Sequence, residues 1–60
     1  MNTVLETKNG TVVEVAEKQG NYILRVNGKN VTTVDTKDRL RVSHLVRFMD
    51  LLESEISINV

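Results

Sequence analysis

Apolar positions alternate through the first 35 residues. The pieces "TVLET", "TVVEVAEK", "NYILRVN" and "VTTVD" are rich in β-branched residues, which suit a pleated, half-buried surface. In the third piece Tyr22, Leu24 and Val26 fall on one side of a strand, with Ile23 and Arg25 on the other. In the second, Val13 and Val15 oppose Val12, Glu14 and Ala16. Between the pieces stand Asn9–Gly10, "QGN" at 19–21 and "NGKN" at 27–30. Asn and Gly tolerate the positive φ that lets a two-residue hairpin turn match the twist of its strands. The pattern predicts an antiparallel meander with one face buried and the other only partly polar. Proline, which would disqualify a central strand, is absent.

The period then changes. Val42, Leu45, Val46, Met49 and Leu52 recur at steps of three and four, and Phe48 and Leu51 widen the stripe. That spacing predicts a helix covering at least Ser43 to Glu53. Its expected core contribution is Leu45, Met49 and Leu52, with Val46 and Phe48 flanking. Two starts fit. Ser43 is a good N-cap with Arg39–Val42 leading in as an extended segment, and Thr36 or Asp38 would cap a longer helix. The tail "EISINV" returns to alternation, with Ile56, Ile58 and Val60 on one side, and predicts a fifth strand. The expected architecture is a single α+β domain over residues 1–60. It comprises a four-stranded antiparallel β-meander, one C-terminal helix packed on it, and a short final strand.

Size and charge narrow the function classes. Sixty residues leave room for one core, and a chain of that length buries only about 60% of its unfolded surface. With no cysteine, neither a disulfide nor a thiolate metal site can reinforce that core. Self-association is therefore expected, as a homodimer built either on the apolar terminal strand or on the helix. The formal net charge is zero, which removes a global drive toward nucleic acid or an anionic membrane. No apolar run approaches the length of a bilayer span. The opening "MNTVLETKNG" lacks the basic flank and apolar stretch of a signal peptide, so a cytoplasmic address is expected.

Catalytic equipment is not recognisable. His44 is the single histidine, and its neighbour Ser43 would point about 100° away on a helix, too far round to share a proton well. Asp38 and Arg41 lie within reach of His44 on a long helix, yet only the aspartate could join it as a metal ligand. Glu14 and Glu17, three apart on a strand, face opposite ways. Asp50 and Glu53 share a helix side, the usual arrangement of a solvated face. The glycines at 10, 20 and 28 each belong to a turn, with none in a phosphate-cradling cluster. No enzyme activity, cofactor or metal is expected.

The charge order of "TKDRLRVSHLVRFMDLLESE" is the remaining signal. Lys37, Arg39, Arg41 and Arg47 come first, against Asp38 alone, and Asp50, Glu53 and Glu55 follow. A helix dipole favours the reverse, each misplaced terminal charge costing about 0.3–1 kcal/mol at low salt. Three explanations arise. The helix starts at Ser43 and leaves Arg39 and Arg41 in an extended segment; or the bipolar pattern is a self-complementary surface for an antiparallel twin; or the basic segment binds an external partner. Lys37, Arg39, Arg41 and Arg47 are accordingly the candidate partner-binding residues. In a nucleic-acid version, Arg39 and Arg41 would project together from a strand, and Arg25 and Lys29 would extend the patch. So few cations on a neutral chain give only weak non-specific affinity, and aromatics for base stacking are nearly absent. The favoured expectation is a small protein-binding regulator, an inhibitor or adaptor of a larger protein, in the manner of phage-encoded inhibitors of host proteins. The alternative is a weak DNA-binding regulator using residues 37–47.

Overall fold

A computed structural model describes residues 2–58, with side chains through residue 56. Four strands, β1 (Thr3–Glu6), β2 (Val12–Lys18), β3 (Asn21–Val26) and β4 (Lys29–Asp35), precede one helix, α1 (Arg39–Ile58). The strands form a single antiparallel sheet in the order β1-β2-β3-β4. The fold is α+β.

The turns explain the meander. Lys18 pairs with Asn21 and Val26 with Lys29, so Gln19–Gly20 and Asn27–Gly28 are two-residue loops. All four residues have positive φ: 52° and 78° in the first turn, 51° and 82° in the second. Two consecutive positive φ angles give the hairpin turn whose twist suits the flanking strands. The Asn27 side chain adds a tie, its Oδ1 accepting from the Val12 N–H at 2.9 Å. The Asn9–Gly10 turn is built differently. Glu6 pairs with Val12, leaving a five-residue loop in which Gly10 is the residue at positive φ. The Thr7 N–H donates to the Thr11 carbonyl at 2.8 Å and the Gly10 N–H to the Thr7 carbonyl at 3.0 Å. The Thr7 hydroxyl also bonds the Asn9 side chain.

The longer of the two helix starts is the one formed. Asp35 closes β4 and its Oδ1 accepts from the Lys37 N–H at 2.9 Å, while the Asp38 N–H donates to the Asp35 carbonyl at 3.0 Å. Asp38 then caps: its Oδ1 accepts from the Arg41 N–H at 3.3 Å, and its carbonyl takes the first helical bond, from the Val42 N–H at 2.9 Å. Arg39–Val42 is therefore helical rather than extended, and Ser43 is an interior residue. The explanation of the charge order by a late start at Ser43 falls with it.

The far end differs from the expected strand as well. Glu55–Ile58 continue α1, and Asn59 and Val60 lie outside the described residues. Ile56 follows Leu52 by four residues, so the helical stripe runs on into the segment whose alternation predicted a strand. A lone run of two or three apolar residues fits both periods, and the helix already in progress decides between them.

The core sits between one sheet face and α1. Val13 and Val15 pack with Leu45 and Met49 as the buried cluster, bordered by Leu5, Tyr22, Leu24 and Leu52. Cross-strand register explains the membership, since Leu5 and Val26 pair with Val13, and Leu24 pairs with Val15. Val34, opposite Tyr22 on β4, is buried too. Leu45 and Met49 lie where the stripe placed them; Leu52 is half-buried and Phe48 is 46% exposed.

Candidate functional site

Two surfaces of this two-layer molecule carry apolar side chains that no described element covers. One is the outer face of the sheet, opposite α1. The alternation that buries Val13 and Val15 turns Val4, Val12, Ala16 and Ile23 outward. A β-bulge between Leu24 and Arg25 sets both Asn30 and Val31 of β4 against Arg25, adding Val31 to that face. Val4 is 63% exposed and Val31 60%. Between them lies a polar centre: Glu14 and Arg25 pair across the strands at 3.9 Å, and Arg25 Nε donates to Asn30 Oδ1 at 2.9 Å. Both charges are about a third exposed, so this pair contributes little stability and serves to fill its place on the surface.

The other surface is the solvent side of α1, which reaches the groove beside β4 at His44 and Phe48. Leu40 is 68% exposed, Leu51 61% and Phe48 46%. At about 100° per residue these three and His44 form one band beside the buried stripe. Below the band runs an open groove of about 340 Å³ lined by Leu24, Thr32, Val34, Arg41, His44, Leu45 and Phe48. A second hollow, of about 510 Å³, lies where the Thr7–Thr11 loop meets Leu52, Glu55 and Ile56 near the other end of the helix.

The four basic residues singled out in the sequence are all exposed, but the helix disperses them. Two residues along α1 is about 200° of rotation, so Arg39 and Arg41 leave it on nearly opposite sides. Arg47 lies between them, directed away from the sheet, and Lys37 precedes the helix in the turn. Arg41 lines the groove and pairs with Asp38 at 3.6 Å. Arg25 cannot extend this set because it sits on the outer sheet face with Glu14. Lys29 opens β4 and Asp35 ends it, which places Lys29 about 20 Å along the strand from the turn that holds Lys37.

Ser43 and His44 are neighbours on exposed helix positions. Among the described residues no three His, Cys, Asp or Glu side chains come together to hold a metal ion, and no described helix is long and apolar enough to cross a membrane. The sequence offered one signal for the outer face that its strand pattern already contained: "VVEVA" is apolar on both sides of the strand. For the α1 flank the signal was the excess width of the helical stripe. Compared with known proteins, the chain matches no family model, no curated protein and no solved structure.

Proposed function

We propose that the protein is a non-enzymatic protein-binding regulator, an inhibitor or adaptor that docks on a larger cytoplasmic protein through the outer face of its sheet. The observation that carries this reading is that face itself: Val4, Val12, Ala16, Ile23 and Val31 surround the Glu14–Arg25 pair, and no element among the described residues is laid over them. Apolar contacts around a small, mutually satisfied polar centre are the usual make-up of a protein–protein interface. Binding should then weaken only moderately as salt rises.

The DNA-binding alternative has less to support it. A phosphate backbone is met by cations sharing one face, and Arg39, Arg41 and Arg47 radiate around α1 instead. A gel-shift series with duplex and single-stranded probes at low salt is expected to show no shift. A shift abolished by Arg39→Ala or Arg41→Ala would favour the alternative.

The decisive experiment uses the full chain as bait in its native host. Wild type is expected to recover one larger protein at fixed stoichiometry. Val4→Glu and Val31→Glu replace side chains that are mostly exposed, so their circular dichroism should match wild type, yet both should lose the partner. Equal recovery by all three baits would overturn the assignment to this face.

A further inference from the structure

The outer sheet face carries a row of side chains that is complementary to its own reverse. Val4 pairs with Glu14, Glu14 with Arg25, and Arg25 with Asn30, beside which the bulge adds Val31. From edge to edge this row is apolar, acid, base, apolar. Turned over, it becomes apolar, base, acid, apolar, so every group meets its complement. The next row behaves alike, since Ala16 pairs with Ile23 and either order sets apolar against apolar.

From this row we infer that a second copy of the chain covers the outer face, related by a two-fold axis parallel to the strands between β2 and β3. The operation lays β2 over β3 of the twin, and β1 over β4. Glu14 then faces Arg25 of the twin, Val4 faces Val31, and Ala16 faces Ile23. Each contact occurs twice, as an isologous interface requires. Charge selects the axis. One running across the strands would set Glu14 on Glu14 and Arg25 on Arg25, which is repulsive. In the arrangement inferred, the two sheets pack at about 10 Å with their strands about 30° apart. The α1 helix of each copy stays on the outside.

The polar centre suits this occupant. Within one chain Glu14 and Arg25 lie 3.9 Å apart, each about a third exposed, a looser contact than a charge-assisted hydrogen bond. Arg25 gives Nε–H to Asn30, which leaves its terminal N–H groups for a carboxylate on either side. Across the axis two acids and two bases alternate in a ring. That ring fixes register more than it adds strength, because ion pairs removed from water roughly break even. The apolar contacts supply the drive, over a limited area. Four strands about 4.8 Å apart and six residues of about 3.3 Å give a patch of roughly 400 Å² per copy. Two such patches stay below the roughly 1,200–2,000 Å² of a stable complex. The dimer is therefore weak, and at the dilution of a thermal melt the chain is a monomer with this face open. One consequence rests on the proposed function: the larger partner uses the same face, so dimer and complex exclude one another.

Sedimentation equilibrium from micromolar to millimolar protein tests the geometry. Wild type is expected to pass from monomer to dimer across that range. Val4→Lys and Val31→Glu change mostly exposed positions, so both should stay folded by circular dichroism. Each should weaken the dimer about tenfold, because the change is made at both symmetry-related contacts. Mixed in equal amounts, the two should recover the dimer as a heterodimer. On one side of the axis the introduced lysine meets the introduced glutamate, and on the other Val31 meets Val4. Glu14→Arg should weaken self-association, and adding Arg25→Glu to it should restore the dimer. A wild-type monomer at all concentrations, a dimer indifferent to Val4→Lys and Val31→Glu, or a mixture that fails to recover would each overturn the inference. The larger partner separates this contact from the proposed function. A dimer that captures no partner upholds the contact and sinks that function; a monomer that captures one does the reverse. Where both hold, added partner should dissolve the dimer, and a partner bound to the intact dimer would overturn the shared face.

Discussion

The two faces of the sheet are written in nearly the same residues and have opposite fates. Val13 and Val15 are buried under Leu45 and Met49, while Val12, Ala16 and Ile23 on the reverse side are only half-buried and Val4 is mostly in water. Composition does not separate them. What does is the single helix, which can cover one face and no more. In a chain of this size the uncovered face is not an oversight of packing, since a second layer would need another helix that the chain does not contain among its described residues. The residual apolar surface of a small two-layer domain is set by the number of its layers.

The comparison can be broken most forcefully on the buried side. Val15→Asp or Met49→Asp would place an unpaired carboxylate in the core, a cost of several kcal/mol, and the cooperative thermal transition should disappear. Val4→Asp makes the same chemical change on the open face and should shift stability by no more than about 0.5 kcal/mol. Equal damage from both would mean that the outer face is covered after all.

A smaller effect tests what lays the helix on the inner face. Asp38→Ala removes the cap that starts α1 directly after β4 and should cost about 1 kcal/mol by denaturant titration. Ser43→Ala, at the rejected start, should cost nothing measurable, because alanine is the better interior helix residue. A larger loss at Ser43 than at Asp38 would restore the shorter helix. Smaller still in its structural reach, Gly28→Ala meets no neighbouring atom but forces an alanine to φ near 82°. About 1 kcal/mol of destabilisation is expected, with both faces otherwise unchanged.

Much of this molecule follows from local rules. The strands, the two tight turns and the grouping of Val13 with Val15 on one side of β2 are legible because alternation and positive φ involve only adjacent residues. The stripe through Leu45 and Met49 is equally local, which is why both lie in the core. The helix ends were less legible. Asp38 and Ser43 are both competent caps, and the choice depended on Asp35, whose side chain and carbonyl organise the turn out of β4. At the other end Ile56 satisfied two periods at once.

The placement of the candidate surfaces belonged to tertiary structure. Lys37, Arg39, Arg41 and Arg47 are a cluster along the chain and a scatter in space, because a helix rotates each residue away from the last. Thr32 and Phe48 are sixteen positions apart in sequence and share a groove only because α1 folds back along β4. Sequence periodicity settles which side of an element is apolar. Which apolar side receives the one available helix, and which is left to water, is decided by how the finished layers meet.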